Sequence, residues 1–453
     1  MLRRNLAVGF TLALGLPFLL ASPNPAAAQD FGKLLERAAK ETLREAIAPP
    51  GRPRNVPTAP GQPGAPAVPG APAAPAGVTP SGSGSRLADA VLGTLGGGAQ
   101  RRSETYPVKT ADGWTLVAHR YRPATSPPPG SSPVILCHGL TYSAAFWDLD
   151  PSCSFAEYLA GQGFDVWAVS LRGSGLSQKW VWSVDDAPEA LIGSALRRST
   201  GGKLGGSTGY ASVDPKYANW TMDDHIIHDV PAFVQLVRRQ TGAAEVAWVG
   251  HSMGGIVALA HLARFQNPGI GKLVTVGSQM TMLDGQLPVQ FMRELITTRQ
   301  REVSGMLRGP ELIAQSRTSV HNLFFNVRNV SQPVYDALGT WAMDLPSIGL
   351  MQQYLSMSER GELLDARKQY SYTRNLRNVT VPLLVTCGAS DQFAPPQVQK
   401  EIVDRVGSTD KTLIIFGRAQ GYAVDAGHND ALVGLNSRTQ VFPVIARWLT
   451  GSR

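Results

Sequence analysis

Between Pro133 and Leu449, short apolar runs of strand length alternate with longer segments of helical periodicity, and this alternation leaves few folds open to the chain. Strands are expected at Pro133–Cys137, Asp165–Ser170, Val246–Val249, Lys272–Val276, Leu383–Cys387 and Thr412–Phe416. Helices are expected at Phe155–Gln162, Asp223–Arg239, Gly254–Arg264 and Gln440–Leu449. The strand runs are almost continuously apolar, as strands covered on both faces must be, so the fold class is α/β with a mostly parallel sheet and helices on both sides. Ahead of them, Tyr106–Lys109 and Trp114–Tyr121 flank the turn dipeptide Asp112-Gly113 and read as a β-hairpin.

Two stretches interrupt the pattern. Residues 176–222 are Gly-rich between Gly201 and Gly209 and carry Trp180, Trp182, Tyr210, Tyr217 and Trp220; residues 280–372 are mostly helical in pattern. Insertions at the carboxyl ends of parallel strands sit over the ligand crevice, so 280–372 is expected to be a cap and 176–222 a mobile flank.

The first 28 residues combine Arg3 and Arg4, an apolar stretch from Leu6 to Leu20, and small residues ending at Ala28, the layout of a cleaved secretory signal. Gly9, Gly15 and Pro17 interrupt the apolar stretch, which falls short of the ~20 residues a spanning helix needs. The expected location is therefore outside the cytoplasm: periplasmic, cell-surface or secreted. Residues 29–48 have the spacing of a short amphipathic helix, a candidate for peripheral contact with a membrane or cell surface. Residues 49–102 are dominated by Pro, Ala and Gly and read as a semi-extended tether with room for a short helix over Leu87–Leu95; the folded domain is expected to occupy 103–453. The net charge of +8 falls when Arg3 and Arg4 are removed, and no dense basic block accompanies it, which argues against a nucleic-acid partner. Cys137, Cys153 and Cys387 make an odd count, so at least one thiol is free or paired to another chain; Cys137 and Cys387 end apolar strands and read as core.

Gly250-His251-Ser252-Met253-Gly254 is a G-x-S-x-G pentapeptide between an expected strand and an expected helix. A sharp turn at that place exposes a serine oxygen as a nucleophile and aims a helix N-terminus at developing negative charge. His138-Gly139-Leu140 follows the Pro133–Cys137 strand, where the backbone N–H of Leu140, with that of Met253, is positioned to stabilise an oxyanion. Asp391 and His428 follow later strands in the order Ser, Asp, His: His428 as base toward Ser252, and Asp391 as the carboxylate that orients it. Asp425 and Asp430 lie too close to His428 in sequence to serve as that carboxylate, and Asp430 is expected to anchor the histidine loop. The cluster Asp223, Asp224, His225, His228 and Asp229 has the look of metal ligands on a helix, but Thr221 with Asp224 reads as a capping box, and no separated ligand completes a set; no metal is expected.

Taken together, His138-Gly139-Leu140, Ser143, Trp147, Gly163-Phe164-Asp165-Val166-Trp167, Arg172-Gly173, Asp229-Val230-Pro231-Ala232, the pentapeptide and His428-Asn429-Asp430 resemble the acid lipase branch of the α/β-hydrolases over about Tyr106–Leu449. The resemblance implies a lipase or esterase that uses no cofactor and acts on a hydrophobic ester or lipid, with a cap after the sixth strand. The family often has Gln where Met253 stands, a change that spares the backbone donor. Trp147, Trp180 and Trp182 are candidate substrate contacts. Two other outcomes fit the same residues: acyl transfer to an alcohol, and a surface-tethered binding protein that has kept the fold without turnover.

Overall fold

A computed structural model of the chain describes residues 103–178, 219–266, 269–282, 293, 324–338, 342–344 and 346–451. The leader, the segment 29–48, the tether, Trp180, Trp182 and most of both insertions lie outside the described residues.

Eight strands form one sheet: β1 (Ser103–Lys109), β2 (Thr115–Tyr121), β3 (Val134–Cys137), β4 (Val166–Ser170), β5 (Val246–His251), β6 (Ile270–Val276), β7 (Leu383–Gly388) and β8 (Lys411–Phe416), in the spatial order β1-β2-β4-β3-β5-β6-β7-β8. The hairpin β1–β2 turns at Asp112-Gly113 and joins β4 antiparallel, and every neighbouring pair from β4 to β8 is parallel. Helices described beside the sheet include α1 (Phe155–Gly161), α2 (Val230–Thr241), α3 (Met253–Arg264), α4 (Gln332–Ala337), α5 (Ile348–Arg360), α6 (Pro396–Arg405), α7 (Asp430–Val433) and α8 (Phe442–Leu449), with a short helical turn at Met222–Asp224.

The near-continuous apolar strands β3, β4, β5 and β7 have the two-sided burial they predict, whereas the edge strand β8 buries only Phe416 fully. Alternate residues go to opposite faces: Ile135, Cys137, Trp167, Val169 and Trp248 join one core with Phe233 and Val237 of α2 and Ile256 and Leu259 of α3. Val134, Leu136, Val166, Ala168, Ala247 and Val249 join the other, with Phe155 and Leu159 of α1 and Phe442 and Ile445 of α8. The chain leaves β3 for β4 on one side and returns to β5 on the other. The carboxyl ends of β3 and β5 therefore flank a topological switch point, where open α/β sheets form their ligand crevice.

Three differences from the expected elements have local causes. The expected helix Asp223–Arg239 is split by a π-helical turn at His225–Asp229, just before Pro231, whose ring cannot donate to residue 227 and crowds its carbonyl. A π-helical turn at Ser437–Val441 likewise precedes Pro443 and delays the closing helix to Phe442. Helix α6 between β7 and β8 buries only Val398, Gln399 and Ile402, too thin a stripe to stand out in sequence. The capping box at Thr221 is present, with Thr221 N–H donating to Asp224 Oδ2 at 2.7 Å. Cys137, Cys153 and Cys387 are all buried free thiols, and burial raises the pKa of each. No described helix is long and apolar enough to cross a membrane.

Candidate active site

Ser252 stands in the turn from β5 into α3 with φ 50° and ψ −118°, a left-handed conformation that a non-glycine residue adopts only when its surroundings impose it. The two glycines of the pentapeptide make room for that turn. A β-carbon on Gly250 would collide with the backbone of Gly254 and Gly255, and one on Gly254 with the carbonyl of Cys137 at the end of β3. The backbone of Ser252 is fixed on both sides. Its N–H donates to Val276 O at 2.8 Å, and its carbonyl accepts from Ser278 Oγ at 2.9 Å and from Gly255 N at 3.0 Å. Ser252 Oγ itself has no hydrogen bond among the described residues, so the hydroxyl is uncommitted.

His428 and Asp391 arrive from the loops after β8 and β7. Asp391 Oδ2 lies 2.9 Å from His428 Nδ1, and both side chains are buried, at 3% and 2% exposure. The other oxygen, Asp391 Oδ1, accepts from the backbone N–H of Phe393 at 2.9 Å and Ala394 at 2.7 Å, which holds the carboxylate in one orientation. The carboxylate holds Nδ1, leaving Nε2 as the nitrogen available to a substrate proton. Asp430 anchors this loop as expected: Oδ1 accepts from Gly427 N at 3.0 Å and Asn326 N at 2.9 Å, and Oδ2 from Asn329 Nδ2 at 2.8 Å. Burial pushes the Asp430 carboxyl above its ordinary pKa, and these donors oppose the rise. Asn429 N–H also donates to Phe324 O at 2.8 Å, so residues 324–329 of the cap region are stitched to the histidine loop.

Ser252 and His428 line one small pocket together with Leu140, Tyr142, Phe324 and Phe393. No hydrogen bond joins Ser252 Oγ to His428 in this state; such bonds are commonly loose in unliganded sites. Gly139 brings the loop after β3 against the nucleophile, since a β-carbon there would sit 3.1 Å from Ser252 Cβ. The N–H groups of Leu140 and Met253 have no hydrogen bond within the described residues, and both residues line a second, more open pocket with Trp220, Pro346 and Leu350.

His251, Tyr142, Phe324 and Phe393 carried no expectation from sequence, whereas His138 reads there as structural rather than catalytic. His251, inside the pentapeptide, is fully buried; its Nε2 lies 3.2 Å from His428 O, and its ring stacks on Phe146 with centroids 4.7 Å apart. Since a carbonyl only accepts, Nε2 carries the proton, and burial holds the imidazole well below its ordinary pKa and hence neutral. The phenolic Oη of Tyr142 accepts from Asn429 Nδ2 at 2.9 Å. Phe393 was findable from its place two residues after Asp391, whereas nothing local marks Phe324. His138 is occupied structurally: Nδ1 donates to Gly139 O at 2.8 Å and Nε2 accepts from Leu171 N at 3.1 Å.

Trp147 requires a correction as a substrate contact. It is 1% exposed, packs edge-on against Phe146 and beside Phe155 in the core, and is absent from the lining of both pockets. Phe146 contacts both it and His251. Trp180 and Trp182 lie outside the described residues.

The acidic cluster is an ion-pair lock. Asp229 Oδ1 accepts from Arg172 Nε at 2.9 Å and Nη2 at 2.7 Å, and Oδ2 lies 2.8 Å from His225 Nδ1; Arg172 also forks onto Asp112 at 2.7 and 3.1 Å. Burial alone would raise the Asp229 pKa, yet Arg172 and His225 hold it down to about 2. Asp112, Asp224 and His228 do bring ligand atoms within 4.8 Å of one another, but the Arg172 guanidinium already supplies positive charge there, 2.7 Å from Asp112 and 3.8 Å from Asp224.

The family model described as alpha/beta hydrolase fold matches residues 132–434, well over half of the chain. The chain belongs to the alpha/beta hydrolase fold family. Its resemblance to the acid lipase branch is borne out by its similarity to human lipase member K, 27% identical over 213 residues, covering 46% of each chain. It is also similar to mouse gastric triacylglycerol lipase, 30% identical over 38% of this chain and 37% of that protein. A third relative is the putative lysosomal acid lipase/cholesteryl ester hydrolase of Crotalus adamanteus, 28% identical over 44% of this chain and 46% of that protein. The chain thus spans less than half the length of each of these relatives. Among solved structures, a thermophilic esterase from Thermogutta terrifontis superposes with a TM-score of 0.49 at 18% identity, covering 77% of this chain and 99% of that one.

Proposed function

We propose that this chain is an exported serine ester hydrolase of lipase or esterase type. The single observation that carries the proposal is the buried 2.9 Å contact between His428 and Asp391, at the rim of a pocket that also holds the uncommitted hydroxyl of Ser252. In this mechanism His428 Nε2 takes the Ser252 proton as Oγ bonds to the ester carbonyl carbon, and Asp391 stabilises the imidazolium that forms. The carbonyl oxygen becomes an oxyanion facing the N–H groups of Leu140 and Met253, each of which contributes about 2.7–4 kcal/mol to the transition state. Collapse breaks the bond to the alcohol oxygen, which receives the proton from His428. Water then repeats the sequence on the acyl-enzyme and releases the acid.

The leaving alcohol has to lie near His428 to be protonated, which assigns it to the pocket walled by Phe324 and Phe393. The acyl group then extends past the oxyanion donors into the cavity walled by Met253, Trp220 and Leu350. The ionisable groups bordering that cavity, Arg172, Asp344, His138 and His225, each have a hydrogen-bond partner within the protein, which leaves Leu140, Trp220, Met253 and Leu350 as the wall suited to an apolar acyl chain. The lipase names of the relatives agree with a lipid or hydrophobic ester substrate, and the leader 1–28 supports export. The purified enzyme is expected to hydrolyse nitrophenyl esters with release of free acid, and Ser252→Ala to be inert. Full turnover by Ser252→Ala would refute the proposal.

A further inference from the structure

Thr141, directly after the candidate oxyanion donor Leu140, has φ 67°. A β-branched side chain is disfavoured in that region of backbone space, so something outside the loop must hold it there. The structure supplies one holder from the cap region, 203 residues away along the chain by their numbers: Asp344. Its N–H donates to Thr141 O at 2.7 Å, and its carboxylate Oδ2 accepts from Gly175 N at 2.7 Å, at the turn after β4. Gly175 also has positive φ, 55°, and packs against Ser143 and Ser170; Ser170 Oγ in turn accepts from Ala144 N at 3.1 Å. The strained turn is thus held between the cap residue and the end of β4. On its other side, Gly139 abuts Ser252 and leaves no slack.

We infer that Asp344 is a positioning residue: by tying Thr141 and Gly175 together it keeps the Leu140 N–H turned toward the place where the oxyanion forms, so docking of this cap segment and completion of the oxyanion hole are one event. The inference rests on the hydrolytic reading above. Strain held by a remote contact at a site of developing charge is how preorganised donors avoid reorienting during reaction. The role argued here is that of an acceptor for the Gly175 N–H.

The test compares Asp344→Ala, Asp344→Asn, Thr141→Gly and the double variant Thr141→Gly/Asp344→Ala in steady-state hydrolysis of a nitrophenyl ester, in the rate of Ser252 labelling by a fluorophosphonate, and in thermal midpoint. Asp344→Ala is expected to lower kcat about tenfold with KM changed by less than about twofold, and to slow labelling by a similar factor, because the loss is confined to a charge present only in the transition state. Asp344→Asn keeps an oxygen acceptor for Gly175 and is expected to restore most of the rate. Glycine at 141 adopts positive φ without help, so Asp344→Ala is expected to cost less in the Thr141→Gly background than in the wild type. Should Asp344→Ala be insoluble, Asp344→Ser, whose hydroxyl is too short to replace the carboxylate, reads the same split. Wild-type kcat in Asp344→Ala, additive losses in the double variant, or a loss in KM alone would overturn the inference. Absence of ester turnover and labelling in the wild-type enzyme would instead overturn the hydrolytic reading itself.

Discussion

Among the described residues, two buried imidazole–carboxylate pairs have nearly the same dimensions: His428–Asp391 at 2.9 Å and His225–Asp229 at 2.8 Å, both through Nδ1. Their surroundings differ in one decisive respect. Asp229 already neutralises a permanent cation, since Arg172 binds it through Nε, Nη2 and the backbone N–H. Asp391 takes only neutral backbone donors besides its histidine. A carboxylate committed to a guanidinium has little left to offer a transient imidazolium, whereas one held by neutral dipoles responds fully when the charge appears. The ring nitrogen of His428 that is not held by a carboxylate belongs to a pocket shared with Ser252. The contact makes the pair; the remaining charge and the facing nucleophile make the candidate site.

The same isosteric change in each pair should separate these roles. Asp391→Asn is expected to lower kcat by up to about ten-thousandfold, as expected when the carboxylate no longer sets the tautomer of the base, while moving the denaturant midpoint little. Asp229→Asn is expected to do the reverse: a cost of about 3–5 kcal/mol in chemical denaturation from an unpaired buried Arg172, with turnover per folded molecule within a few-fold of wild type. Equal effects of the two substitutions on kcat would erase the distinction. The smallest effect concerns pH. Burial depresses His138 and His261 to about 4, and His251 also falls well below its ordinary value, whereas in the unfolded chain each titrates near 6.5. The unfolded state therefore binds more protons between these values, and stability is expected to fall as pH drops from about 6.5 to about 4. The Asp229 pair behaves differently: its carboxyl is depressed to about 2, so its contribution holds above about 3.9 and is lost only toward pH 2. Thermal melts between pH 7 and pH 2 check both windows.

Much of this arrangement is legible in the sequence, because strong local constraints carry it. Strands buried on both faces must be nearly all apolar, and six of them were placed from that feature alone; the serine turn needs glycines on both sides, and Gly250 and Gly254 supply them. The pairing of His428 with Asp391 followed from loop order on a parallel sheet. What was not legible depends on contacts between distant segments. Trp147 reads as a substrate contact in sequence, but the 3-10 turn at Ala144–Trp147 directs it into the core. Phe324 and Asp344 reach the site from the cap region with no local motif to mark them. The cluster around Asp229 shows its partner only when β4 brings Arg172 alongside. Prolines 231 and 443 were visible, yet the π-helical turns before them depend on how each helix meets its neighbours.

The central claim is that His428, oriented by Asp391, serves Ser252. A crystal structure of the enzyme inhibited by an alkyl fluorophosphonate tests it most directly. The account predicts a covalent bond from phosphorus to Ser252 Oγ, the phosphonyl oxygen about 2.7–3.1 Å from the N–H groups of Leu140 and Met253, and His428 Nε2 within hydrogen-bonding reach of the adduct. An adduct on another residue, or a modified Ser252 whose adduct lies beyond the reach of His428, would contradict it.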